Sequence, residues 1–230
     1  MKKMTSTCTR PQNSALPLAS FCKNTMSNQE TTLLNCEYFP SIRWYCDFLQ
    51  SESIEIEQHE YFVRKSFRNR CNITGPNGPI SLSVPLLGGR NQKIKMKDLQ
   101  IANQEKWQLL HWRTLDACYR RTPFFEYFEA DIHRIYTQKH QFLLDLNLQT
   151  LDTVNKLLRQ KKSYSLTENF IEQTNRAYID KRNEKATEVA DLSYLQPFSA
   201  RFGFTPGLSI LDMLFCCGNQ TGPLLLGTEK

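Results

Sequence analysis

Thr31-Thr32-Leu33-Leu34-Asn35-Cys36-Glu37-Tyr38-Phe39-Pro40-Ser41-Ile42 decides the fold. Residues 31–36 carry the apolar pair Leu33-Leu34, read as a short buried strand, although so brief a run has no periodicity to settle it. Residues 37–40 then turn, and Ser41 is of the residue type that caps a helix. Ile42, Tyr45, Cys46 and Leu49 recur at helical spacing, which predicts a short helix to about residue 50. Ile54-Glu55-Ile56-Glu57 alternates and reads as a second strand. Strand, turn, helix and strand in this compass make a βαβ unit. Ligands of such sheets bind at the carboxyl ends of the strands, here near residues 36–40 and 58–59. The expected class is α/β: a small, partly parallel sheet with flanking helices and an attached β-hairpin. A Rossmann-like nucleotide-binding topology is the preferred version.

Downstream of that crevice runs Gln58-His59-Glu60-Tyr61-Phe62-Val63-Arg64-Lys65-Ser66-Phe67-Arg68-Asn69-Arg70. It leads into residues 71–85, where Gly75-Pro76-Asn77-Gly78 separates two alternating apolar segments and predicts a hairpin. Cations held against a hairpin suit a phosphate or carboxylate better than a loose basic tail does. Lys65, Arg68, Asn69 and Arg70 are therefore the candidate substrate-binding residues. Arg offers a planar fork for bidentate anion binding and Lys a point charge. In an extended segment Arg68 and Arg70 would share a face, with Asn69 on the other. A surface strand studded with charges is the simpler alternative; the place beside the crevice favours a ligand. His59, at a strand end beside Glu60, is the candidate catalytic acid or base, or else a packed, hydrogen-bonded His.

The rest of the chain reads more coarsely. Residues 88–92 form a glycine-rich loop, followed by Lys93, Lys95 and Lys97 at alternate positions, and 98–101 suit a further strand. Helices are expected over 105–119, 125–136 and 142–158, the last with Leu143, Leu146, Thr150 and Val154 on one stripe. Residues 159–190 are polar and read as a loop or insertion with a strand at 164–166. Residues 194–204 look irregular and 209–215 helical. Phe124, Phe125, Tyr127 and Phe128 are expected in the core. Arg113 and Asp116 stand at ion-pair spacing. Arg120 and Arg121 end a helix where cations are favoured. Ser209 and Asp212 suit a capping box.

The 230 residues suit a single domain, here taken as 31–220, behind a polar 1–30 extension expected to be disordered, with translation starting at Met26 as an alternative. Hydrophobic residues at 40% are enough for a core, and no apolar run is long enough for a membrane span. A net charge of +6 favours anionic ligands but is too weak to indicate nucleic-acid binding. Eight cysteines without a Cys-x-x-Cys spacing or a signal peptide are expected as free thiols in the cytoplasm. The adjacent Cys216-Cys217 pair reads as buried small hydrophobes rather than a nucleophile. No Walker A, Gly-x-Gly-x-x-Gly or Gly-x-Ser-x-Gly motif occurs, and no His/Asp/Glu cluster points to a metal.

Four blocks carry a family resemblance: residues 37–42, 58–85, 111–128 and 203–215. In that order they resemble the WbqC-like family, found mostly in bacteria and often among surface-polysaccharide genes. The resemblance implies a transferase in O-antigen-type polysaccharide biosynthesis, transferring glycine or another acyl group to a sugar. Amide formation then needs an activated donor, a nucleotide or an activated carrier; the cofactor itself is unknown. The partner expected is an anionic small molecule: a nucleotide, a nucleotide sugar or a sugar acid. The alternative is a non-catalytic protein of the same pathway that binds a nucleotide, a glycan or a partner. Nucleic-acid binding through the basic hairpin and the alternating lysines ranks last.

Overall fold

The computed structural model describes residues 30–88, 93–173, 175, 177–183 and 192–227. The expected N-terminal extension up to residue 29, residues 89–92 of the glycine-rich loop and residues 184–190 of the polar segment lie outside them.

The βαβ unit is present. Strand β1 (Thr31–Asn35), helix α1 (Ile42–Gln50) and strand β2 (Ser53–Glu57) follow the apolar pattern. The strands pair in parallel from Thr31 opposite Ser53 to Asn35 opposite Glu57. Ser41 caps α1, its Oγ accepting from Trp44 N at 3.3 Å. Trp44 Nε1 in turn donates to the Asn35 carbonyl at 2.8 Å, tying the helix to the strand end. The buried face of α1 is Ile42, Trp44, Tyr45, Phe48 and Leu49.

The hairpin is also where the turn residues put it. Strands β3 (Arg70–Ile73) and β4 (Ile80–Ser83) pair antiparallel from Arg70–Ser83 to Ile73–Ile80. Gly78 takes φ +109°, open to glycine, and its N–H closes the turn on Gly75 O at 3.2 Å.

The strand expected over 98–101 does not form. Residues Met96–Asp98 make a 3-10 turn, with Leu99 N bonding back to Met96 O. Only single bridges follow, Gln100 to Phe142 and Ile101 to Leu86. The alternation there is real, since Leu99 and Ile101 are buried. Asp98 N and Leu99 N, however, are spent on local bonds and Ile101 N on Gln141 O, so no continuous ladder forms.

Helices α2 (Trp107–Tyr119), α3 (Phe125–Thr137) and α4 (Leu143–Leu157) each bury an apolar face in the core. The stripe of Leu143, Leu146, Thr150 and Val154 is fully buried, as is Phe125, and Phe128 is buried beside it on α3. Tyr127 is not in the core: it is 76% exposed, because it falls on the outer face of α3.

The polar segment after residue 159 contributes strands β5 (Ser165–Leu166) and β6 (Tyr178–Asp180). They complete a parallel sheet in the order β5-β2-β1-β6. Taken in chain order, these strands sit 3-2-1-4. That is how a doubly wound nucleotide-binding sheet begins, and the order reverses between β1 and β6. A short helix α5 (Ser199–Phe202) lies in the stretch read as irregular. Helices α6 (Ile210–Cys217) and α7 (Thr221–Leu226) close the described chain. Residues 208–210 lace the pieces together. Ile42 N donates to Leu208 O, Ser209 N to Asn72 O and Ile210 N to Pro40 O, at 2.8–2.9 Å.

Candidate functional site

Because the sheet is parallel, its carboxyl ends lie side by side, and each ends in polar residues. From β1 come Asn35, Cys36 and Glu37; from β2, Glu57, His59 and Glu60; from β5, Thr167; from β6, Asp180 and Arg182. Burying so many charges is costly unless they are paired and hydrogen-bonded; here Glu57, Glu60 and Asp180 are ion-paired and Glu37 is hydrogen-bonded.

Glu57 is wholly buried. Its Oε1 accepts from His59 N at 2.7 Å and Thr167 Oγ1 at 3.0 Å. Its Oε2 accepts from Ile171 N at 2.9 Å and Arg182 Nη1 at 3.4 Å. Arg182 is also buried, and its Nε and Nη2 fork Asp180 at 3.0 and 2.6 Å. The ring of Phe170 lies against its guanidinium. Burial pushes the Asp180 carboxyl up, but its bonds to Arg182 outweigh this and hold it below its ordinary value.

A second buried pair lies beside β1. Arg68 Nε and Nη2 grip the two Glu60 oxygens at 2.7 Å each. The backbone around Arg68 is anchored to the strand end. Tyr38 N donates to Phe67 O at 2.9 Å. Asn147 Nδ2, from α4, donates to Arg68 O at 2.7 Å and Cys36 O at 3.4 Å. Glu37 accepts from Asn35 Nδ2 at 3.1 Å and Ser41 N at 2.9 Å. Burial raises its carboxyl, opposed by those bonds and by Arg68. The Cys36 thiol is driven up by burial, so it is held as the thiol and not as a nucleophile.

The candidate site residues therefore differ in their freedom. His59 is half-buried at the cluster's edge, its Nε2 3.1 Å from Thr167 O. A carbonyl only accepts, so in the neutral ring Nε2 carries the proton and Nδ1 keeps a lone pair. Lys65 is exposed on a left-handed turn, φ +56°. Asn69 Nδ2 donates to Val84 O at 2.9 Å. Arg70 opens β3 opposite Ser83. Arg68 and Arg70 do not present one common cationic face. Residues 58–69 run as a loop rather than a strand, which turns Arg68 inward to Glu60 and leaves Arg70 half-buried. Three buried polar atoms here, Asn69 Oδ1, Arg70 Nε and Asn147 Oδ1, have no partner among the described residues.

The alternating lysines belong to the same neighbourhood. Residues 58–62 pair with 94–97: Phe62 N to Ile94 O, Met96 N to Glu60 O and Lys97 N to Gln58 O, at 2.9–3.0 Å. Lys93, Lys95 and Lys97 thus line the loop that leaves β2. Sequence reasoning missed Glu57, Arg182, Asp180 and Thr167. Glu57 had a signal, as a carboxylate ending a parallel strand. Arg182 had none, because its strand is short and sits in a polar run.

Other pairings differ from expectation. Asp116 bonds Arg120, one turn on, and not Arg113. Ser209 does cap α6, its Oγ accepting from Leu211 N at 3.3 Å. Asp212 completes no capping box: it is buried, accepting from Thr74 Oγ1 (2.9 Å), Tyr119 OH (2.6 Å) and Tyr194 OH (2.7 Å). Burial pushes its carboxyl up against those three hydroxyls. Among the described residues no group of three or more His, Cys, Asp or Glu is placed to hold a metal ion. No described helix is long and apolar enough to cross a membrane.

A family comparison matches residues 36–201, which take in the buried ion pairs, the hairpin and three of the four strands of the sheet, β2, β5 and β6. The chain belongs to the WbqC-like protein family. No curated protein and no solved structure is significantly similar to it. Within this WbqC-like chain the matched region starts at Cys36, one residue past β1, and takes in the polar cluster apart from Asn35.

Proposed function

We propose that the carboxyl end of the sheet binds an anionic small molecule, a nucleotide, nucleotide sugar or sugar acid. The protein would use it as a transferase of bacterial surface-polysaccharide biosynthesis, moving glycine or another acyl group onto a sugar. The observation that carries this reading is the reversal of strand order between β1 and β6, directly above the buried polar cluster. A crevice opens at such a reversal. Lys65, Arg70, Lys95 and Lys97 around the loop from β2 have no ion-pair partner among the described residues, so they are available to an anion. The unpartnered Arg70 Nε and Asn69 Oδ1 fit a ligand's acceptor and donor. Arg68 and Arg182 are already forked by carboxylates, so they shape the floor rather than grip the ligand. His59 Nδ1 is the proton acceptor, suited to take a proton from an attacking amine or hydroxyl.

One observation favours a second reading, a binding protein without catalysis. The buried carboxylates of the cluster, Glu37, Glu57 and Glu60, are each satisfied by other protein groups, which leaves His59 as the candidate acid or base among the described residues.

A thermal-shift panel with nucleotides, nucleotide sugars and glycine tests both, because a ligand of the folded state raises Tm by mass action. A nucleotide or nucleotide sugar is expected to raise Tm, with the shift lost in a Lys65→Ala/Arg70→Ala variant. An unchanged shift in that variant, or none with any ligand, sinks the anion site. Binding that persists in His59→Ala while turnover disappears supports the transferase; binding without turnover in the wild type supports the second reading.

A further inference from the structure

A cavity of about 540 Å³ opens away from the sheet end. It lies between the carboxyl end of α2, the 122–123 turn, the 195–198 loop and α6, and shares no lining residue with the polar cluster. Its size falls within the roughly 300–1,000 Å³ of small-molecule sites.

The walls are of two kinds. Ala117, Pro123, Leu195, Pro197 and Phe198 make an apolar surface. The charged groups are Asp116, Arg120 and Arg121. Arg120 is committed to Asp116 and Glu129. Arg121 has no ion-pair partner among the described residues, so its guanidinium is free to meet an anion. That combination, an apolar wall with a single free guanidinium at its edge, matches a ligand with an apolar body and one anionic group.

The cavity is also held open. Tyr194 is anchored below it through the 2.7 Å bond to Asp212. Gln196, itself a buried lining residue, is clamped by Thr205 N at 2.7 Å and Thr205 O at 2.9 Å. Between and beyond those anchors, Leu195 stands 84% exposed and Phe198 adopts φ +62°, a conformation an aromatic residue takes only at a cost. The polar residues of the loop are thus fixed inward while its apolar ones are turned to the cavity and its mouth. A ligand needs no rearrangement to reach them, which lowers the cost of binding.

We propose that this cavity binds a small amphipathic anion, with an alkyl or aryl body against Leu195, Pro197 and Phe198 and a carboxylate or phosphate on Arg121. Cys216 lines the same space and reports its occupancy. Burial raises its thiol, so it alkylates slowly and a bound molecule slows it further.

The test is peptide-resolved alkylation of Cys216 in the full chain, at alkaline pH, with decanoate, decyl phosphate or decanol present. Decanoate, decyl phosphate or both are expected to protect Cys216 while Cys46, outside the cavity, stays unprotected. Protection by one acid alone identifies the head group. Arg121→Gln is expected to weaken the protecting acid about tenfold, the loss of one charged contact, and to leave decanol unaffected. Both Arg121 and Ala117 are exposed, so neither variant disturbs the core. Ala117→Trp fills the cavity and is expected to abolish protection by every ligand. No protection by either acid overturns the proposal. So does decanol protecting as well as the acids, or protection that survives Ala117→Trp. Ligand binding at the sheet end bears on none of these outcomes.

Discussion

Glu57 and Asp212 are both fully shielded from solvent, and the chain satisfies them in opposite ways. Glu57 sits among cations and backbone amides: Arg182 bonds it, and His59 N and Ile171 N donate to it. Asp212 sits among hydroxyls from Thr74, Tyr119 and Tyr194, with no cation bonded to it. A guanidinium balances charge, so the first arrangement offsets the cost of burying a carboxylate in a low-dielectric place. Hydroxyls can donate but cannot neutralise, which is why burial prevails at Asp212 and lifts its carboxyl. The Glu57–Arg182–Asp180 network at the sheet end is thus charge-balanced, whereas Asp212 on the α2–α6 side, like Glu37 beside β1, is held by neutral donors.

The sharpest way to break that contrast is to remove charge from each. Arg182→Ala leaves Glu57 and Asp180 without their cation in a buried site, and is expected to cost about 3–5 kcal/mol. Asp212→Asn keeps the shape and accepts from Thr74 and Tyr119, while Tyr194 OH can turn to accept from the new amide. Its expected cost is about 1–2 kcal/mol. Urea unfolding of both variants measures the difference. A larger loss in Asp212→Asn than in Arg182→Ala would mean that the charge balance has been assigned to the wrong end.

A third buried group sharpens the neutral side. His111, on α2, is 2% exposed, with its Nδ1 3.1 Å from Tyr38 OH, itself 2.9 Å from Tyr136 OH. Burial pushes His111 from 6.5 down to about 4, a Ser83 backbone bond opposing it in part. Above pH 6.5 both folded and unfolded chains hold it neutral, so it contributes no pH dependence. Between about 6.5 and 4 the unfolded chain takes up a proton that the folded one refuses, and stability falls as pH falls. The loss approaches about 3 kcal/mol near the folded value. Glu37 and Asp212, raised by burial, act in the opposite direction in acid, since their unfolded forms ionise first. The comparison is therefore wild type against His111→Gln, across pH 7 to 4. The variant should lose the acid-side decline that His111 supplies; parallel curves would mean that the imidazole titrates freely when folded.

The βαβ unit and the hairpin were legible because their signals are local. Ser41 marks a helix start, Ile54 and Ile56 alternate, and Gly78 supplies the positive φ of a turn. Cations near a strand end were legible as a basic segment, and the structure sets that segment beside the carboxyl end of the sheet. Their roles were not legible, since pairing is set across the fold: Arg68 meets Glu60 eight residues away, and Glu57 meets Arg182 at a separation of 125. Strand β6 was hidden for a related reason. An edge strand of three residues, with Ile179 40% exposed, has no buried alternation to read. Asp212 misled because position and residue type suited a cap, while tertiary hydroxyls outcompeted the local backbone donor.

The smallest effects separate the two serine caps, which stand opposite each other in an antiparallel bridge between Ser41 and Ser209. Ser41 Oγ accepts from Trp44 N and opens α1 at the charged end of the molecule. Ser209 Oγ accepts from Leu211 N and also donates to Phe39 O at 2.8 Å, in a fully buried place. Ser41→Ala loses a cap and is expected to cost about 1 kcal/mol. Ser209→Ala loses a cap and strands a buried carbonyl, for about 2 kcal/mol. Phe39 belongs to the turn after β1 and Ser209 to the helix that carries Asp212, so this bond joins the charge-balanced end to the neutral one. Chemical denaturation of both alanine variants resolves the difference. Equal losses would mean that the junction rests on the backbone bonds of residues 208–210 alone, and that the two ends are coupled without the Ser209 hydroxyl.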